Sequence, residues 1–234
     1  MQKQEKIVQM FNEIAPSYDK ANRILSFGID ITWRKKACNY VLKNYNKIDL
    51  NIVDVACGTA DMINIWQQEA LKLNKQISKI IGVDPSEGML KIAREKYKEI
   101  LFIKAFAQDL PLEDESADIM SISYGIRNVV ERKKALKEFF RVLKKDGLFL
   151  ILEFSKQEKK GLLSFFRDFY LKNILPILGG FLSKNKSAYE YLPNSIEHFL
   201  SEQELAKELQ EVGFKIVKIK NFSFGISSMF VVKK

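Results

Sequence analysis

The chain reads as an α/β fold on a seven-stranded, mostly parallel sheet with an antiparallel last strand, forming one domain over residues 1–234. Three features predict this. From Asn51 onward, short apolar runs alternate with amphipathic stretches, the pattern of successive βαβ units. The first run ends in a glycine turn, Cys57-Gly58-Thr59, that opens a helix. The last two runs are joined by a short link around Phe224-Gly225, a connection open to an antiparallel pair but too short for a parallel crossover.

Taken in order, residues 1–48 form a helical cap and lid: a helix to residue 14, a polar and aromatic loop Pro16–Asp30, and a helix Thr32–Asn44. Strands are expected at Ile52–Ala56, Ile80–Asp84, Leu101–Ala105, Ile119–Ser123 and Gly147–Glu153. Helices fall between them at Asp61–Leu73, Ser86–Tyr97 and Glu131–Lys144, the last stopped by Lys145-Asp146-Gly147. After the fifth strand the rhythm breaks. Residues 156–200 form a helical, apolar-rich insertion expected to meet substrate or membrane, and Ser201 with Glu204 has capping-box spacing for a following helix. Strands Phe214–Asn221 and Ser227–Val232 close the sheet.

Composition narrows the setting. Hydrophobic residues are 47% and charged residues 29%, a globular balance that excludes a disordered or fibrous chain. Cys38 and Cys57 are too few for a disulfide framework or a Cys-rich zinc site, so a reducing cytoplasm is expected and no metal. No secretory signal is legible, and the most apolar window, Gly161–Leu182, is broken by Arg167, Asp168 and Lys172. The net charge of +9 fits either solvated Lys-rich helix faces or transient contact with an anionic membrane surface. No nucleic-acid motif accompanies it, and none is expected to bind.

The glycine turn carries the chemistry. Strand Val53-Asp54-Val55 runs into Ala56-Cys57-Gly58-Thr59-Ala60, which presents backbone N–H groups and a helix N-terminus at the carboxyl edge of the sheet. Of the G-x-G-x-x-G pattern only Gly58 remains, which argues against a pyrophosphate cradle and so against a dinucleotide-dependent dehydrogenase. Asp84, closing the second strand, can accept both ribose hydroxyls of a nucleoside, or simply cap the next helix.

The successive segments VDVACGTAD, GVDPSEGML and AFAQDLPLEDESAD resemble the cofactor-binding segments of class I S-adenosylmethionine methyltransferases, which are Rossmann-like. YDKANRILSFGIDITW (Tyr18–Trp33), SYGIRNV (Ser123–Val129) and RVLKKDGLFLILEFS resemble the signatures of the UbiE/MenG quinone C-methyltransferases, with Ala21 and Asp30 at the usual Met and His. The resemblance implies S-adenosyl-L-methionine as cofactor and a polyprenyl quinol as acceptor, either a demethylmenaquinol or a methoxy benzoquinol. It implies cofactor contacts from Asp54, Gly58, Thr59, Asp84, Phe106, Ala107 and Ser123. Phe106 stands where the family has Asp or Asn, so Gln108, Asp109 or backbone must serve the adenine. Arg127 and Asn128 are the implied oxyanion stabilisers, Arg127 pairing alternatively with Glu131. Tyr18 and Asp19, with Asn22, form the lid over the reacting groups, and Glu153 orients a hydroxyl or holds that lid. A location in the cytoplasm, peripheral to the membrane, and a homodimer are compatible with this reading. A methyltransferase for a small soluble, sterol or acyl acceptor is the alternative of the same fold.

Overall fold

The computed structural model describes residues 2–154 and 186–234. Two helices open the chain, α1 (Gln2–Leu25) and α2 (Ile29–Lys43). The alternating core comes next as β1 (Asp49–Val55), α3 (Asp61–Lys72), β2 (Gln76–Asp84), α4 (Glu87–Lys96), β3 (Leu101–Lys104), β4 (Ala117–Ser123), α5 (Arg132–Val142) and β5 (Leu143–Glu153). Helices α6 (Lys186–Glu197) and α7 (Glu202–Val212) precede strands β6 (Lys215–Phe222) and β7 (Ser227–Lys233).

All seven expected strands are present, in spatial order β3-β2-β1-β4-β5-β7-β6. Pairs β1·β2, β1·β4, β2·β3 and β4·β5 are parallel, while β7 runs antiparallel to both β5 and β6. The central strands are buried on both faces, as crossover helices require. Helices α5 and α7 cover one face through Leu136, Phe139, Leu205 and Leu209 against Val53, Val83, Met120 and Phe149. On the other face, α2 and α3 pack Val41, Leu42, Ile65 and Trp66 against Ile52, Ile119 and Leu150.

Two local expectations are corrected. Pro16–Asp30 is not a loop: α1 continues through Pro16 to Leu25, and only Ser26–Gly28 turn. A proline deletes one helical N–H bond, but Ile14, Ala15, Ala21 and Leu25 bury against Met89 of α4, and that apolar burial outweighs the lost bond. Likewise α5 stops at Val142, and Leu143–Asp146 already belong to β5, with Leu143 paired to Ala117. The capping box at Ser201 and Glu204 forms as expected, and Gly213 ends α7 at φ +114°. Of the insertion, residues 186–200 are described, and they include α6. The most apolar window, Gly161–Leu182, within the insertion expected to meet substrate or membrane, lies outside the described residues. Among those that are described, no helix is long and apolar enough to cross a membrane.

Candidate active site

The strand order reverses between β1 and β4, and the crevice at such a point collects ligands in open α/β sheets. Here it opens as a cavity of about 680 Å³, counting its mouth. Its floor is built from the carboxyl ends of four strands: Val55, Ala56 and Gly58 after β1, Asp84 and Pro85 after β2, Phe106–Gln108 after β3, and Ser123–Gly125 with Asn128 after β4. Helix α1 supplies the roof with Gln4, Ile7, Val8, Phe11 and Tyr18.

The corner after β1 is sharply wound. Ala56, Gly58 and Ala60 all sit at positive φ (52°, 55° and 73°), conformations that L residues avoid and that persist where surrounding structure forces them. A Cβ at Gly58 would point into open space, so backbone alone faces the ligand there. Gly125 approaches so closely that an added Cβ would lie 2.5 Å from the Ala56 Cβ. The β1 and β4 corners therefore touch where only a glycine fits.

Asp84 is the one carboxylate lining the cavity among the described residues. It accepts from the Gly58 N–H at 2.9 Å and the Ser86 N–H at 2.8 Å, and no described cation pairs with it. Burial pushes its pKa up to about 6, against the lowering effect of those two bonds. The Ser123 hydroxyl, on the same wall, is buried with no hydrogen-bond partner among the described residues. A buried acceptor and an orphan hydroxyl facing one cavity suit a ligand carrying hydroxyl and amino groups. The apolar neighbours Val55, Met89 and Ala107 and the half-exposed ring of Phe106 suit a flat base. S-adenosylmethionine is such a molecule, and these residues fit it.

Other expected residues stand behind the wall. Asp54 lies in the sheet, where Trp66 Nε1 donates to Ser121 Oγ (3.0 Å) and Ser121 Oγ donates to Asp54 (2.6 Å). Burial raises its pKa to about 7. Thr59 Oγ1 donates to Asp19 at 2.6 Å, and Lys96 pairs with that same carboxylate. Neither Thr59 nor Asp19 lines the cavity; together they fasten α1 to the glycine corner. Arg127 does not line it either, and its partner is Glu153 (2.7 Å) rather than Glu131, which bonds Lys134 instead. Its guanidinium also donates to the Tyr124 carbonyl at 2.6 Å and to Ser195 at 3.3 Å, and it stacks on Phe154. Glu153 is fully buried, with a pKa raised by burial against the pull of Arg127. Tyr18, Phe106, Ala107, Ser123 and Asn128 do reach the cavity.

Several lining or bracing residues were not anticipated from sequence. Gln4 donates to the Asn128 carbonyl (3.2 Å) and accepts from the Val130 N–H (2.9 Å). Asn12 Oδ1 accepts from Ser86 Oγ and from the Gly88 N–H, both at 2.8 Å, so α1 caps the helix that follows Asp84. The Tyr191 hydroxyl donates to Asn128 Oδ1 at 2.9 Å. Each bond spans 63 residues or more, beyond any local pattern. His198, just past the end of α6, meets the Asn194 carbonyl through its ring, and no cluster of metal-binding side chains occurs among the described residues.

Comparison with known proteins agrees with this geometry. The model of the "ubiE/COQ5 methyltransferase family" matches residues 1–234. This chain belongs to the ubiE/COQ5 methyltransferase family. A Campylobacter jejuni (strain 81-176) relative named ubiquinone/menaquinone biosynthesis C-methyltransferase UbiE is 65% identical over 234 residues, 100% of both chains. A Bacteroides fragilis protein named demethylmenaquinone methyltransferase is 37% identical, covering 99% of this chain and 94% of its own. Solved structures share the fold at lower identity. A Thermotoga maritima S-adenosylmethionine-dependent methyltransferase aligns with TM-score 0.60 at 20% identity, covering 97% of this chain and 99% of its own. A Haloferax volcanii putative methyltransferase, solved with its Trm112 activator, aligns with TM-score 0.65 at 16% identity, covering 95% and 96%. This member of the family is therefore a methyltransferase of quinone biosynthesis on the α/β sheet that its sequence predicts.

Proposed function

We infer that the chain methylates a ring carbon of a polyprenyl quinol, with demethylmenaquinol as the first acceptor to test, using S-adenosylmethionine as methyl donor. The observation that carries this reading is the coincidence of a full-length family match with a cavity whose one carboxylate, Asp84, is buried and free of any described cation. The Bacteroides fragilis relative's name supports the naphthoquinol acceptor.

Asp84 would hold the ribose hydroxyls, with Ser123 beside it, while Gly58 would offer backbone and Phe106, Ala107 and Gln108 would receive the base. The donor supplies an electrophilic methyl group to a nucleophilic ring carbon. The acceptor must be the reduced quinol, because a quinone ring is itself an electrophile. Ile7, Val8 and Phe11 give the roof of the cavity an apolar surface, which lowers the local polarity around the polar groups beneath them. Tyr18 and Asn128 are the polar lid and wall groups placed to meet the quinol oxygens. Burial raises the Tyr18 pKa, so the phenol stays neutral at neutral pH, although a hydrogen bond with Asn22 and the charges of Arg34 and Arg127 oppose that shift. Arg127 serves through others: it holds the Tyr124 carbonyl, and its own N–H bonds Glu153 at 3.2 Å, which fixes the turn that presents Asn128. Among the described residues the cavity wall offers no free base beyond Asp84, so the ring proton leaves to water.

Calorimetry with S-adenosylhomocysteine, followed by transfer of labelled methyl to chemically reduced demethylmenaquinol, tests this. Saturable binding and a ring-methylated product are expected. No uptake of the nucleoside would overturn the site, and uptake without transfer to any quinol would overturn the acceptor.

A further inference from the structure

The hairpin between α1 and α2 ends in an exposed aromatic residue that nothing in the site explains. Phe27 is 86% exposed at φ +52°, and Ile24 and Ile29 beside it are each 42% exposed. The other exposed large apolar side chains among the described residues each come from a different segment of the chain, as scattered surface residues do. Three within six positions, on the turn and on the helix ends that flank it, form a patch.

The turn is not slack. The Gly28 N–H donates to the Arg23 carbonyl (3.0 Å) and to Ser26 Oγ (3.1 Å), and the Ile29 N–H donates to the Ser26 carbonyl (3.1 Å). Ser26 Oγ in turn donates to Asp30 at 2.7 Å. Phe27 is therefore held outward by a rigid frame, in a left-handed conformation that bulky L residues avoid and that Asn or Gly would occupy without strain.

Charge along the hairpin is one-sided. Lys20 is exposed one turn before Ile24 on α1, and Lys36 is exposed two turns after Ile29 on α2. The acids nearby are neutralised: Asp30 by Arg23 and Arg34, Asp61 by Arg23, and Asp19 by Lys96. An apolar tip with unopposed lysines about 5–10 Å behind it, at the helical rise per turn, matches the depth profile of a bilayer interface, with acyl chains beyond anionic phosphates.

We propose that the Ser26–Gly28 turn is a membrane anchor, inserting Phe27 with Ile24 and Ile29 into an anionic bilayer while Lys20 and Lys36 meet its phosphates. It rests on the reading of the acceptor as a lipid-soluble quinol, and it gives that acceptor a route: the anchored hairpin continues into the α1 roof that carries Tyr18 over the cavity.

Flotation of the full chain with phosphatidylglycerol/phosphatidylethanolamine vesicles, against pure phosphatidylcholine, tests it. The wild type should float with the anionic vesicles and lose binding as salt rises. Phe27→Asn, which relieves the turn and cannot disturb folding by strain, should weaken vesicle binding about tenfold. Lys20→Gln with Lys36→Gln should weaken it by a further tenfold or so. Turnover of a water-soluble, short-tailed quinol should be unchanged in both. In Phe27→Trp, emission should shift to the blue on adding anionic vesicles, over a constant background from buried Trp33 and Trp66. Absence of wild-type flotation, or flotation of Phe27→Asn equal to wild type, would overturn the anchor. So would a Phe27→Trp emission already blue without lipid, which would mean that this chain or a second copy covers the tip. Failure of the wild type to methylate the soluble quinol speaks against the acceptor reading alone, since vesicle binding is scored separately.

Discussion

Both ends of the sheet bury aspartates, and the two ends treat them oppositely. At the amino edge, Asp118 accepts from Lys47 (2.8 Å), Lys144 (2.9 Å), the Tyr45 hydroxyl (3.2 Å) and the Asn51 N–H (3.0 Å). Although burial alone would raise it, those partners pull its pKa down to about 2. At the carboxyl edge, Asp84 and Asp54 have no such company, and burial leaves them near 6 and 7. One end is electrostatically satisfied and serves stability. The other is left wanting, with Ser123 orphaned and three left-handed residues in one turn, so that a ligand can complete it.

The sharpest way to break that contrast is Asp84→Asn. It keeps the shape and removes the charge, so affinity for S-adenosylhomocysteine by calorimetry should fall about 100-fold or more, while thermal stability changes little, because loss of an unneutralised buried charge is offset by an amide NH2 that must face the Gly58 or Ser86 N–H. Wild-type affinity should decline as pH drops below about 6, when Asp84 gains its proton, and this decline should vanish in the variant.

Asp118→Ala should do the reverse, costing about 2 kcal/mol of unfolding free energy in denaturant titrations with little change in nucleoside affinity. The signs of the pH effects differ as well. With its folded pKa depressed, Asp118 contributes stability that is present above the ordinary pKa of 3.8 and is lost as pH falls toward about 2. Asp84 and Asp54 have raised folded pKa values, so the native state holds extra protons between about pH 4 and 7, and their contribution to stability declines as pH rises through that window.

Gly125→Ala drives a methyl group against Ala56 and should lower both nucleoside affinity and stability, the latter by about 1–3 kcal/mol. Ala56→Gly in the same chain should restore most of both, because it removes the colliding carbon and relieves a positive φ. The smallest effect belongs to Ser123→Ala. Stability should change by less than about 0.5 kcal/mol, since no bond among the described residues is lost, while nucleoside affinity falls about threefold to tenfold.

The sequence by itself determined the seven strands and their helices, because side-chain alternation and periodicity are local consequences of chain geometry. It also located Gly58 and Asp84, since a turn residue and a strand-end acid at the right βαβ spacing are written along the chain. Only the tertiary structure decided that α1 runs through Pro16, that Arg127 turns away from the cavity to Glu153, and that Asn12 and Gln4 reach across to brace the site. Those outcomes depend on which distant groups burial brings within bonding range, and a bond across 124 residues leaves no trace in the local pattern at either end.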